Sequence, residues 1–332
     1  TGRLFSTLTH KGACADGSGS IVAFSDDDGE TWTARAVGDG AWDWGKLLCG
    51  PAATERGRSE LARSGYPHML YFSATGPTLI FGPNQLTYRS SDGGQTWQRT
   101  GDMFDARQLS SLQFGYPQCG VVAADGAIYK PWAGSAADYV SSADTRIPVH
   151  VARSLDEGDS WQAFPVPNSG TRPLGASMTV ATDGTLYLAW ADCTDGQIRL
   201  TSSVDRAQSW SEPRRIRIPG VMRASKPTIH MRGSRDLALA CWGSAQAIGT
   251  GDGWLKPDGR PYDGYLTRCR DITATEPEFV TLHVRDSEAA LLPQGESLWH
   301  SGEYLGAPAF APDGKVWAGF LSVAHGGLVA AL

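Results

Sequence analysis

Long apolar runs are absent from this chain of 332 residues. No segment approaches 18 uninterrupted apolar residues, which excludes a helix that spans a membrane. Basic charge is also short. Lysine and arginine number 29 against 35 aspartates and glutamates, giving a formal charge of −6. A nucleic-acid partner calls for a basic face, so none is expected. No C-x-x-C pair occurs, which argues against a zinc site, and neither metal nor cofactor is expected. Thr1 begins without a charged and apolar leader, as a chain whose signal peptide has been removed or whose end has been trimmed would.

Turn formers and large aromatics are plentiful. Forty glycines, 19 prolines and 12 tryptophans favour short strands joined by many turns, an all-β class. The six cysteines, Cys14, Cys49, Cys119, Cys193, Cys241 and Cys269, are even in number and widely spaced. That pattern points to a secreted or periplasmic chain with disulfides. Cys14–Cys49 and Cys241–Cys269 would each staple a long loop, although spacing alone leaves the pairing open.

One short pattern returns along the chain: S-x-D-x-G-x-[TS]-W. It occupies residues 25–32, 90–97, 154–161 and 203–210, at intervals of 65, 64 and 49, with Ala207 replacing the glycine in the last copy. Recurrence of this kind marks a repeat architecture. The chemistry is that of a turn. Asp27, Asp92, Asp156 and Asp205 can accept backbone N–H groups a few residues on, and the glycine supplies positive φ. Trp32, Trp97, Trp161 and Trp210 can tuck a large apolar face under the turn. A strand of β-formers precedes each copy, so each joins two strands of a hairpin. Calcium binding by Asp26, Asp27 and Asp28 is disfavoured, because their spacing is not that of an EF-hand loop.

These residues resemble the Asp-box, or BNR repeat, of the sialidase (neuraminidase) superfamily. The resemblance implies a β-propeller of four-stranded antiparallel blades, each box joining the third and fourth strands of a blade. Asp-boxes lie away from the catalytic face, so the boxes are expected to be structural. A single propeller domain over residues 1–332 is expected, with six blades, or five as the alternative count. The N-terminal strands near residues 3–9, 21–24 and 33–37 lack a first strand. The apolar run at 327–332 is expected to meet them in a shared blade and remove the exposed edges.

First strands are readable near residues 66–72, 116–122, 177–181, 226–230 and 307–310. Asp125-Gly126 and Asp183-Gly184 make hairpin turns to the strands that follow. The fifth unit carries no recognisable box, and a long insert at 245–260 follows its second strand. In a propeller, ligands occupy the mouth formed by the starts of the innermost strands. That places Tyr66, His68, Tyr116, Gln118, Arg172, Arg223, Lys226, Glu303 and Tyr304 as site candidates. Trp254 and Trp299 join them as stacking walls for a carbohydrate, with inter-blade packing as the alternative role.

The sialidase resemblance further implies three arginines for a carboxylate, a nucleophilic Tyr paired with a Glu, and an Asp acid. Tyr304 sits where the nucleophilic Tyr would fall. Glu303 beside it would point to the opposite face of the strand. Where the family has a Glu opening one inner strand and an Arg closing the next, this chain has Lys226 and Trp242. No Arg-Ile-Pro precedes the first box, and Arg146-Ile147-Pro148 and Arg217-Ile218-Pro219 fall on third and fourth strands. A hydrolase of another kind would need a facing carboxyl pair, with Glu303, Asp105, Asp138, Asp192 and Asp263 as candidates. A lyase acting on a uronic-acid glycan would need a Tyr or His base and a cation, which Tyr116, His68, Arg172 and Lys226 could supply.

The expectation is therefore a secreted or periplasmic, monomeric carbohydrate-active enzyme acting on a glycan, acidic or neutral. A sialidase-like glycoside hydrolase leads. A polysaccharide lyase and a non-catalytic carbohydrate-binding propeller are the alternatives.

Overall fold

The structure, a computed structural model, describes residues 3–9, 20–37, 67–72, 79–83, 87–101, 103, 116–117, 120–133, 148–169, 173–192, 194–246, 261–285, 290–291, 307–320 and 328–332. Among these residues every regular element is a strand, and the strands form six sheets. The chain packs as two compact units, Thr1–Lys130 with Ala152–Ala163 and Pro131–Val151 with Phe164–Leu332.

The first sheet runs β1 (Leu4–Thr9), β2 (Ser20–Ser25) and β3 (Thr33–Val37). The second is a four-stranded meander of β4 (Pro67–Phe72), β5 (Leu79–Pro83), β6 (Tyr88–Ser90) and β7 (Gln98–Arg99). The third contains β8 (Tyr116–Pro117), β9 (Val121–Val122), β10 (Ile128–Ala133), β11 (His150–Ser154) and β12 (Gln162–Pro165). The fourth orders β13 (Pro173–Val180), β14 (Leu186–Asp192), β15 (Gln197–Ser203) and β16 (Arg214–Ile216). The fifth orders β17 (Arg223–Arg232), β18 (Asp236–Ser244), β19 (Asp263–Cys269) and β20 (Val280–Val284). The last has β21 (Ala309–Phe310), β22 (Val316–Phe320) and β23 (Leu328–Ala331), so the C-terminal run pairs with β22. Repeated four-stranded antiparallel meanders of this kind are the blades of an all-β propeller.

Each box joins the last two strands of its sheet. The strand before it ends on the box serine, Ser25 on β2, Ser90 on β6, Ser154 on β11 and Ser203 on β15. In the second box, Ser90 Oγ donates to Asp92 Oδ1 at 2.8 Å and accepts the Gly94 N–H at 2.8 Å. Asp92 in turn accepts the Gln95 and Thr96 N–H groups and the Thr96 hydroxyl. The Trp97 indole donates to Gly94 O at 3.1 Å, and Trp32 and Trp161 do the same to Gly29 O and Gly158 O. Two consecutive left-handed residues make this bend, for example Gly93 at φ 72° and Gly94 at 87°. In the fourth box that place is taken by Arg206 at 62° and Ala207 at 67°. Side chains resist this region at a cost of roughly 1–2 kcal/mol.

The fifth sheet carries a turn that the pattern search did not reveal. β19 ends on Cys269 where the strands that lead into boxes end on serine, and Asp271 follows two positions later. Asp271 Oδ1 accepts the Thr273 N–H at 3.1 Å and the Thr273 hydroxyl at 2.6 Å. Glu276 stands where the tryptophan would be, and Phe279 packs onto the core beside this turn.

The first strands of the fourth and fifth sheets touch along their length. Ser177 Oγ accepts the Ile229 N–H at 3.2 Å and Thr179 Oγ1 accepts the Met231 N–H at 3.1 Å. These hydroxyls satisfy edge donors of β17 that no strand pairs, which buried backbone groups demand. Between the same sheets lies an apolar cluster including Tyr187, Ile198, Leu239, Cys241 and Tyr265. A second cluster, with Trp242, Leu266, Val316 and Phe320, joins the fifth sheet to the last. Each fully buried aliphatic side chain in such a core contributes about 1.5–3 kcal/mol.

The expected Cys241–Cys269 bridge does not form. Both thiols are free and buried. Cys241 pairs with Tyr265 and Cys269 with Leu237, four positions apart along antiparallel neighbours. Four strand residues span about 13 Å, beyond the roughly 7 Å limit for a disulfide. Cys14, Cys49, Cys119 and Cys193 lie outside the described residues.

Candidate functional site at the strand ends remote from the boxes

The fourth and fifth sheets have two distinct ends. At one, Leu186 pairs with Ser203, and the box follows. At the other, Pro173 pairs with Asp192 and Asp192 with Gln197, while Arg223 pairs with Ser244. Site candidates fall at this second end.

The first strands are irregular there. β13 carries one extra residue between Leu174 and Ala176, and β17 one between Ser225 and Thr228. β4, in the other unit, has the same kind of irregularity between Pro67 and Leu70. Such bulges re-aim side chains and gather beside active sites. The β13 bulge holds Gly175 at φ 58°, and the β17 bulge holds Lys226 at φ 48°. A Cβ on Gly175 would lie 3.2 Å from Lys226 Cα, so the two bulges are in close contact. Lys226 precedes Pro227, and a residue before proline is pushed toward extended conformations. Its left-handed backbone is thus strained on two counts, and strain of this kind concentrates at functional sites.

Arg223 begins β17 on the face shared with Ser225 and Trp242, and it is 1% exposed. The buried Arg223 thus stands three residues from the half-buried Lys226 at this end of β17.

The carboxylate candidates here serve turns and ion pairs. Asp192 Oδ1 accepts the Thr194 N–H at 2.9 Å, and Asp192 Oδ2 lies 3.1 Å from Arg199 Nη2. Asp195 holds the same guanidinium at 2.9 Å. Asp263 Oδ2 is 2.8 Å from His283 Nε2, and its Oδ1 accepts the Leu291 N–H at 3.3 Å. His283 stacks flat on Tyr265, with ring centroids 4.6 Å apart. Burial pushes the Tyr265 hydroxyl up to about 12. Each described carboxylate candidate is therefore engaged with a cation or an imidazole.

The other candidates are placed in part or not at all. His68 lies on β4 and Tyr116 on β8. Tyr66, Gln118, Arg172, Trp254, Trp299, Glu303 and Tyr304, together with Asp105 and Asp138, lie outside the described residues. Sequence reasoning missed the Gly175 bulge, the burial of Arg223 and the Asp263–His283 pair. The Lys226-Pro227 dipeptide was the one local signal of irregularity. Among the described residues no group of three or more His, Cys, Asp or Glu side chains could hold a metal.

Comparison with known proteins accords with this architecture. A BNR repeat-like domain matches residues 61–242, more than half of the chain. The chain belongs to the BNR repeat-like family. No curated protein matches it. Among solved structures, NanB with Optactamide is 11% identical, covering 96% of this chain and 63% of that one, with a TM-score of 0.54. A protein of unknown function from Dyadobacter fermentans is 15% identical over 94% of this chain and 82% of its own, with a TM-score of 0.51. The leech intramolecular trans-sialidase is 16% identical over 74% of this chain and 33% of its own, with a TM-score of 0.44. The chain spans about a third to a half of the first sialidase structures it matches, 33%, 46% and 32% of their lengths. With the family match, the two likenesses of TM-score above 0.5 show the propeller fold.

Proposed function

We propose that this BNR propeller is a carbohydrate-active enzyme, a sialidase-like glycoside hydrolase that receives its glycan at the sheet ends remote from the boxes. The observation that carries this reading is the pairing of a strained Lys226 with a buried Arg223 where β13 and β17 bulge into contact. A fold stores such strain where chemistry or binding requires a side chain to be aimed. The boxes cannot supply the site, because their aspartates are consumed by their own turns.

In this reading Arg223 and Lys226 supply positive charge to an anionic group or a developing oxyanion, the largest electrostatic lever available to such a site. Tyr304 and Glu303, on the stretch preceding β21, are proposed as nucleophile and partner by the family resemblance. Arg172, Tyr66, Gln118, Tyr116, His68, Trp254 and Trp299 are proposed to contact the glycan.

The test is an activity screen of the purified chain on fluorogenic sialosides and a panel of acidic and neutral polysaccharides. Release of fluorophore that is lost in Tyr304→Phe, with thermal unfolding unchanged, supports the hydrolase. Accumulation of unsaturated uronate instead moves the assignment to a lyase. Glycan binding without turnover reduces the protein to a binding propeller.

A further inference from the structure

Two boxes lean on the sheet before their own. Trp97, in the box of the second sheet, packs with Tyr88 against Phe5 and Val22 of the first. Gly93 O in that box accepts Arg3 Nη1 at 2.7 Å. In the box of the third sheet, Gly158 O accepts the Gly101 N–H at 2.9 Å, and Asp159 Oδ2 lies 3.0 Å from Arg89 Nη1. Arg89 lies on β6 of the second sheet, and Gly101 follows β7 closely. The corresponding place on the fifth sheet is open. A groove of about 330 Å³ lies there, with Arg268, Arg270, Glu276, Glu278, Val280 and Leu332 in its lining. Val280 pairs with Arg268 at the box end of the sheet and is 54% exposed. Leu332 exchanges two bonds of 2.8 Å with Val316, the register that Ser203 keeps with Leu186 in the fourth sheet. Leu332 thus stands where a box serine stands.

β23 also has an open edge. The strands that lead into boxes or the variant turn, β2, β6, β11, β15 and β19, each pair outward with one more strand. Among the described residues β23 pairs with β22 alone. Hydrogen-bonded pairs alternate along antiparallel strands. The bonds at Leu332 therefore leave Val329 and Ala331 with their N–H and C=O groups turned outward. Such an edge is a template for a further strand.

We propose that a partner supplies this strand: an extended segment of box chemistry that pairs along Val329 and Ala331 and seats its aromatic ring in the groove. The ring would cover Val280 and Leu332 as Trp97 covers the first sheet. A box of a second copy is not the occupant, because all four boxes are closed within their own sheets. Charge narrows the class further. Glu276 and Glu278 on the rim are exposed, which favours a segment with few carboxylates. This edge lies at the box end of the sheets and is independent of the glycan reading.

The probe is a synthetic peptide with the sequence of residues 90–100, which carries Trp97 with one Asp and one Arg. It is titrated into the whole chain, and amide exchange is followed by mass spectrometry. Saturable binding below about 1 mM is expected, with exchange over residues 328–332 slowed roughly tenfold. The same peptide with Trp97→Ala is expected to bind about tenfold more weakly. So is a peptide of residues 25–35, whose box carries four carboxylates, by about the same factor at low salt. These peptide variants test the seat without altering the fold. In the chain, Val280→Lys and Ala331→Pro are each expected to abolish binding with the thermal midpoint unchanged, since proline is tolerated where an edge N–H faces outward. No binding at about 1 mM peptide overturns the proposal. So does binding that leaves exchange at 328–332 unchanged, or that survives Ala331→Pro. Slow exchange at these residues before peptide is added would show the edge already covered by this chain. Concentration-dependent pairing that slows it would name a second copy. Either result overturns the partner strand.

Discussion

Arg268 grips Asp236 through two parallel bonds, Nε to Oδ1 at 2.9 Å and Nη2 to Oδ2 at 2.7 Å, and its remaining arm reaches Gly314 O at 2.9 Å. Burial alone would push the Asp236 carboxyl up, but the bonds from Arg268 and Arg232 outweigh it and hold the group below the usual range. Removing one partner of a buried pair strands the other charge. Asp236→Asn is therefore expected to lower stability by about 3–5 kcal/mol, read as an earlier midpoint in urea. An unchanged midpoint would show that the fork contributes nothing net.

The box serines hold a buried donor. Ser90→Ala leaves the Gly94 N–H, buried in the second box, without its hydroxyl acceptor. A loss of about 1–3 kcal/mol is expected, with catalytic or binding constants untouched. A selective loss of glycan activity at full stability would move the boxes into the site.

Ala207 offers the opposite opportunity. It occupies the left-handed place that glycine fills in the other boxes, fully buried at φ 67°. Ala207→Gly is expected to raise the thermal midpoint, by up to about 1 kcal/mol in stability once the greater freedom of the unfolded chain is subtracted. A lower midpoint would mean that the Ala207 methyl contributes more by packing than its backbone conformation costs.

Acid should strike the boxes together. Hydroxyl and backbone N–H donors hold Asp27, Asp92 and Asp205 at about 2, below their ordinary value of 3.8. A depressed carboxylate stabilises the fold above its unfolded value, and that contribution disappears as pH falls through the folded one. The thermal midpoint should therefore drop between about pH 4 and pH 2. The drop should become shallower when the three aspartates are replaced by asparagine. Asp27 and Asp92 are solvent-exposed and Asp205 is half-exposed, so the effect is shared among several small contributions.

Cys241 and Cys269 should react with a thiol reagent only after unfolding. Burial pushes both thiols up, and reactivity belongs to the thiolate. Rapid labelling of either in the native chain, or a tryptic peptide linking the two, would contradict the register of β18 and β19.

The boxes were legible because their chemistry is local. Ser, Asp and Thr or Ser bond within seven residues, so the motif contains its own structure. The Asp-Gly turns were legible for the same reason: Gly126 and Gly184 adopt φ near 86° and 85°. What escaped was whatever depends on pairing. The turn at Cys269 and Asp271 was hidden because Glu276 and Phe279 replace a recognisable tryptophan. The bulges at Gly175 and Lys226 appear only once partners on β14 and β18 are known. β13 and β17 begin earlier than expected, at Pro173 and Arg223, because strands covered on both faces lose the alternation that marks an edge. The Cys241–Cys269 expectation failed for want of register, not of proximity in the sheet.

The hydroxyls of Ser177 and Thr179 have one more consequence. They meet the N–H groups of Ile229 and Met231 at alternate positions, like teeth entering a rack. Sliding β17 by a single residue would turn its carbonyls and side chains toward these oxygens, and no tooth would engage. Apolar faces tolerate such slippage, whereas this row of hydroxyls permits one phase. The fifth sheet is thus keyed to the fourth, and that keying brings Lys226 level with Gly175.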